Sequence, residues 1–189
     1  MRKLKLQVQL SIDGFNAGPN GELDFMEWNW DDKLKKFVND LHTSIDTILL
    51  GRKMTDGFVK HWEGVPVGDE SYPFAKIMVD TPKVVFTKTL DKSPWNNTRL
   101  AKGNLIDEVN QLKKQSGGKD IIVYGGSRFV SSLIAEGLID EYFLFINPSA
   151  LGNGMTIFNS LKSKQNLKLK KSIAFDCGIV LLNYELKRD

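Results

Sequence analysis

Leu4, Leu6, Val8, Leu10 and Ile12 occupy every second position of the opening segment, with Lys3, Lys5, Gln7, Gln9 and Ser11 between them. That period predicts a strand with one firmly buried face. The strand runs into Asp13-Gly14, and from there to Trp30 the chain carries Gly14, Gly18, Pro19, Asn20 and Gly21 and no helical period. A long loop is expected, of a length that compact domains seldom keep without a function. Leu34, Phe37, Val38 and Leu41 then fall at i, i+3, i+4 and i+7, which predicts a helix over 31–43 with Asp31 and Asp32 in its first turn.

Asp46-Thr-Ile-Leu-Leu-Gly51 reads as a short strand buried on both faces, and Arg52-Lys53-Met54 opens a helical stretch behind it. A polar loop over 63–73 precedes Val84-Val-Phe-Thr87, another buried strand. Leu105, Ile106, Val109 and Leu112 mark a helix that Ser116-Gly117-Gly118 ends, and the strand 121–124 meets Gly125-Gly126-Ser127. Phe129, Val130, Leu133 and Ile134 line one face of the next helix, which stops at Gly137. A strongly apolar strand over 139–148 follows, then a hairpin of strands 165–175 and 179–187 turning at Asp176-Cys177-Gly178. Strands alternating with helices imply an α/β fold with a mainly parallel sheet and helices on both faces, to which the hairpin adds antiparallel strands.

Composition narrows the class. The 189 residues, 41% hydrophobic and 26% charged, suit one compact domain over 1–189 and exclude disorder or a coiled coil. A net charge of +3, scattered along the chain, is too weak a field to argue for nucleic acid. No window approaches the roughly 18 uncharged apolar residues of a membrane span, and the opening segment alternates where a signal peptide would be continuously apolar. Cys177 stands alone, and neither His42 nor His61 has a partner at metal-ligand spacing. The expectation is a soluble, cytoplasmic protein without disulfide or metal.

Ligands of open parallel sheets sit outside the carboxyl ends of the strands, which directs attention to three strand-to-helix junctions. Tyr124-Gly125-Gly126-Ser127-Arg128-Phe129 offers a backbone that a phosphate can approach and the N–H groups of a helix start, although two glycines also serve a plain tight turn. Gly51-Arg52-Lys53 puts two cations where the helix dipole disfavours them, as an anion site would and as solvated charges also do. Phe86-Thr87-Lys88 sets a hydroxyl and an ammonium just past a strand end, suited to an additional phosphate or to an ordinary surface.

These junctions in this order, with Ser11-Ile12-Asp13-Gly14 at the first strand end, resemble the dihydrofolate reductase-like family, especially its branch related to the C-terminal reductase domain of bacterial riboflavin biosynthesis. The most specific stretch is Ile121-Ile-Val-Tyr-Gly-Gly-Ser127 followed by Gly137-Leu-Ile-Asp-Glu141, Ile146-Asn-Pro148 and Leu151-Gly-Asn-Gly154. The resemblance implies an NADPH-dependent reductase built on a mixed sheet of about eight strands, acting on a C=N or C=O bond of a small pterin- or pyrimidine-like molecule. It implies that Gly51, Arg52 and Lys53 face phosphate, Thr87 and Lys88 the adenosine 2′-phosphate, and Gly125, Gly126, Ser127, Arg128 and Phe129 the pyrophosphate. The loop 13–30 would act as a lid beside the nicotinamide.

By the same resemblance Asp31 and Asp32 lie near the place of a catalytic carboxylate, though tandem acids are also what a helix N-terminus prefers. Gln9 and Phe37 are the candidates for substrate contact, with Phe37 equally suited to the core, and Trp28 and Trp30 to the pocket mouth. Asp13 is expected to shape its loop first. The riboflavin reductases often carry Lys and Glu where this chain has Gln7 and Tyr124, which argues against ribosylaminopyrimidine as substrate, and Met54 stands where folate enzymes place Thr. Relatives are often homodimers, with Tyr142–Ile146 and the hairpin as the expected interface. A nucleotide-binding protein without turnover and a flavin- or pterin-binding reductase of another type are the alternatives.

Overall fold

The computed structural model describes residues 1–187. In chain order the elements are β1 (Leu4–Leu10), α1 (Asp32–Thr43), β2 (Ile45–Gly51), α2 (Arg52–Glu63), α3 (Tyr72–Asp80), β3 (Lys83–Phe86), β4 (Thr98–Ala101), α4 (Leu105–Lys114), β5 (Asp120–Tyr124), α5 (Ser127–Ala135), β6 (Glu141–Ile146), β7 (Leu167–Ala174) and β8 (Val180–Leu186). The strands form one eight-stranded sheet in the order β4-β3-β2-β5-β1-β6-β8-β7, parallel from β4 to β6 and antiparallel across β8 and β7. This is the expected α/β architecture with its closing hairpin.

Each face of the sheet has its own core. Leu4, Leu6, Val8 and Leu10 of β1 pack with Val109 and Leu112 of α4 and Val130, Leu133 and Ile134 of α5. On the opposite face Leu34, Val38 and Leu41 of α1 and Met78 of α3 cover Ile48, Leu50, Ile122, Phe143 and Phe145. A central strand covered on both sides ordinarily reads as a continuous apolar run. β1 alternates instead because its second face carries Lys5, Gln7 and Gln9 under α1, where Lys5 pairs with Asp120 at 2.9 Å.

Two elements carried no clear sequence signal. α3 is short, and only Ala75 and Met78 of its residues are buried. β4 is an edge strand of four residues with one fully buried side chain, Ala101, so alternation has little room to show. The expected interface strand is also corrected: β6 lies between β1 and β8, and Tyr142, Phe143, Leu144 and Phe145 are buried within this chain. Its apolar run reflects helices on both faces of an interior strand, not a surface awaiting a partner.

Candidate active site

The carboxyl ends of β1, β2, β5 and β6 meet two loops, 11–30 and 147–157. A Cβ built on Gly51 would lie 2.9 Å from the Cβ of Phe129, so the start of α2 touches the start of α5 directly. Phe129 packs in turn on Phe86 at the end of β3, with ring centroids 5.0 Å apart. Gly126 caps α5 in the left-handed region at φ 84°, and neither it nor Gly51 supplies a side-chain cap to the helix it precedes. The first N–H groups of both helices therefore point out of the sheet end without a side-chain acceptor, beside Arg52, Lys53 and Arg128. Met54 closes the floor, its sulfur 3.7 Å from where a Gly126 Cβ would sit.

Ser127 Oγ reaches the sulfur of Met155 at 3.6 Å, and Met155 bridges to Ala17, which brings both loops to the same glycine turn. Asp13 clasps them together. Its carboxylate accepts the Ser11 hydroxyl at 2.6 Å and the Gly152 N–H at 2.7 Å, with the Leu151 N–H at 3.1 Å. These bonds, led by Ser11, hold its pKa down to about 2. A folded-state pKa below the unfolded one means that the clasp acts fully above about pH 4 and is lost as pH falls toward 2. Amide exchange at Leu151 and Gly152 should accelerate beyond the intrinsic acid trend only in that window, and Asp13→Asn should abolish the inflection. An unchanged inflection in the variant would assign it to another group.

Beyond β1, Asn147 ties the loop 11–30 to the sheet. Fully buried, it donates to Gln9 Oε1 at 2.7 Å and accepts the Glu27 N–H at 3.0 Å. Gln9 pairs in register with Phe145, and Phe37 packs on Phe143, Phe145 and Phe175 with centroids 6.2, 6.3 and 6.4 Å away. The structure thus brings the two substrate candidates to one face of the sheet, under α1. Gln7 lies one pair below, between Tyr124 and Phe143, and its Oε1 is buried without a hydrogen-bond partner. Such an oxygen is costly to leave unmet, and a ligand N–H would satisfy it.

Tyr124 is tied to α1. Its hydroxyl bonds the Nε2 of His42, whose Nδ1 lies 2.6 Å from the Val38 carbonyl. A carbonyl only accepts, so Nδ1 carries the proton and Nε2 accepts from Tyr124. Burial pushes the His42 pKa down and the Tyr124 pKa well up, so both are neutral. The sequence shows only that His42 lacks a partner at metal-ligand spacing, and the fold shows it locking the residue ahead of the double glycine.

Two expectations are corrected. Asp31 caps α1, accepting the Leu34 N–H at 2.8 Å, and it also holds the Cys177 N–H of the β7–β8 turn at 3.2 Å. The Leu34 bond leads in lowering its pKa, so the group stays ionised and has no proton to deliver at neutral pH. Asp32 is exposed in the first turn. Thr87 is buried, and its hydroxyl accepts the N–H groups of Thr89 and Leu90 at 3.1 and 3.2 Å, so it shapes its own turn instead of facing solvent. Lys88 beside it is exposed.

Residues 2–181 match the family model of the RibD C-terminal domain. The uncharacterized protein YyaP of Bacillus subtilis (strain 168) is 34% identical over 183 residues, covering 97% of this chain and 94% of its own. The diaminohydroxyphosphoribosylaminopyrimidine deaminase/5-amino-6-(5-phosphoribosylamino)uracil reductase of Thermotoga maritima shares the fold, with a TM-score of 0.70 at 17% identity over 98% of this chain and 57% of that one. Dihydrofolate reductase from Enterococcus faecalis, complexed with NADP(H) and RAB-propyl, does so with a TM-score of 0.63 at 15% identity over 98% and 97%. With the family model spanning both glycine junctions, the two clasped loops and the first strand and turn of the hairpin, this chain belongs to the family of RibD C-terminal domains, on a fold shared with dihydrofolate reductase.

Proposed function

We propose that this protein is an NADPH-dependent oxidoreductase that reduces a C=N or C=O bond of a small heteroaromatic, pterin- or pyrimidine-like molecule. The observation that carries the reading is the contact of Gly51 with Phe129, which joins two helix N-termini lacking side-chain caps into one cradle flanked by Arg52, Lys53 and Arg128. That arrangement suits a pyrophosphate, since the backbone N–H groups of two helix starts converge on one anion, with Lys53 and Arg128 beside them and Arg52 toward its outer end. The cofactor, when bound, supplies the hydride. The chain's own part is to hold the substrate ring under α1 against Phe37, Gln9 and Gln7, and to exclude water with the clasped loops. Because Asp31 is committed as a cap, the exposed carboxylate of Asp32 is the member of the pair assigned to the substrate in this reading.

Gln7 and Tyr124, in register on neighbouring strands, give this face a neutral amide and a neutral phenol. That favours an uncharged ring bearing N–H donors over a phosphorylated ribosyl substrate. We include a cytoplasmic location and a homodimer in the proposal, with the hairpin face as the contact in place of β6.

Calorimetric titration with NADPH and NADH, followed by a dihydrofolate-dependent assay at 340 nm, tests the reading. Tight NADPH binding with turnover is expected. Binding without turnover on any pterin or aminopyrimidine would favour the nucleotide-binding alternative, and no binding of either nucleotide would reduce the glycine junctions to turns. Light scattering on the same sample addresses the dimer, which a monomer at micromolar concentration would overturn.

A further inference from the structure

Arg52 does not lie loose over the cradle. Its Nη1 donates to Asp56 one turn along α2 at 2.7 Å, and the guanidinium carbon stands 5.1 Å from the centre of the Trp95 indole ring. The other oxygen of Asp56 accepts the Trp95 Nε1–H at 3.1 Å. One carboxylate thus bridges the guanidinium and the indole that lies against it, and fixes their separation and tilt. Trp95 is itself held by Ser93, whose hydroxyl accepts its backbone N–H at 3.1 Å and donates to its carbonyl at 3.0 Å. The arrangement covers one face and one edge of the guanidinium. Nε and Nη2 have no recorded partner among the described residues, and the side chain is one-third exposed.

A helix start is a poor place for a cation unless something anionic joins it. A surface arginine of this kind would ordinarily sample many rotamers, and ordering it at the moment of binding costs part of the affinity gained. Here the ordering is done in advance. The direction is also set: Asp56 and Trp95 draw Arg52 away from α5 and toward the 87–97 connection, which leaves the end of β3 next to Lys88. The cation faces the outer end of the cradle, on the side of β3.

We propose that Asp56 and Trp95 are positioning residues that pre-orient Arg52 to read a phosphate on the outer ribose of the nucleotide, and so set the preference for NADPH over NADH. This rests on the nucleotide-binding reading above. Thr87, whose hydroxyl is committed to its own turn, does not take that role, and Lys88 supplies a second charge.

The test is the ratio of NADH to NADPH dissociation constants measured by calorimetry on the full chain. Trp95→Leu removes both the ring face and the Nε1–H, and should weaken NADPH roughly fivefold while NADH is unchanged. Trp95→Phe keeps a ring face and should recover part of that loss; it also serves if the leucine variant folds poorly. A ratio unchanged in both variants overturns the inference, and so does equal weakening of both nucleotides, which would mark Trp95 as packing for α2. If the parent protein binds neither nucleotide, the proposed function falls and this inference falls with it, whereas parent binding with an unchanged ratio sinks the inference alone.

Discussion

Gly51→Ala should lower turnover with a nicotinamide nucleotide about a hundredfold, because displacing a reacting group by an ångström is enough for such a loss. The added Cβ would stand 2.9 Å from the Phe129 Cβ and 3.1 Å from its Cγ. Phe129 cannot yield by a simple rotation, since its Cβ belongs to the first turn of α5 and its ring is packed on Phe86. α2 and α5 must separate instead, which opens the cradle and costs about 1–3 kcal/mol of stability. Paired with Phe129→Gly, which removes the Cβ as well as the ring, the clash disappears, so the double variant should be less impaired in nucleotide binding than the sum of the two single variants predicts. Parent-like nucleotide affinity in Gly51→Ala would remove this contact from the functional reading and leave it a matter of packing.

Asp140→Ala is expected to be the most damaging change away from the site. Asp140 lies 2.5 Å from the Nζ of Lys113 and accepts the Leu4 N–H at 2.8 Å, and the two side chains are only 16% and 4% exposed. Lys113 also donates to the Leu138 carbonyl at 2.7 Å, so this pair fastens α4, the α5–β6 turn and the start of β1 together. Removing the carboxylate breaks a buried ion pair by deleting one partner, a loss of about 3–5 kcal/mol. In a domain of this size that corresponds to a fall in Tm of roughly 10 °C. Scanning calorimetry reads it directly, and a fall of only a degree or two would mean that water or a neighbour replaces the carboxylate. The double change Lys113→Met with Asp140→Leu should recover part of the stability, though the Leu4 N–H would still lack its acceptor.

Asp140 belongs to Gly137-Leu-Ile-Asp-Glu141, one of the stretches that made the family visible in the sequence. In the structure it holds the scaffold, through Lys113 and the Leu4 N–H. A specific sequence signal therefore identified the fold through a residue whose described bonds fasten the scaffold. Asp13 behaves differently: an Asp-Gly turn was legible, but its grip on Leu151 and Gly152 depends on residues more than a hundred positions away.

The sheet's alternation with helices, the hairpin, α1 and the glycine junctions follow from local order alone, since apolar period and turn chemistry act over a few residues. The polar face of β1 was visible as well, as an alternation that a strand covered on both sides has no packing reason to show. Chain order could not say what those polar residues meet. That Asp31 is a cap while Asp32 stays open, that Tyr124 is locked by His42, and that Arg52 is seated on Trp95 were all decided by tertiary contacts between separate elements. Each role depends on a partner's distance and direction, and sequence spacing carries neither once the chain has crossed from one strand to another.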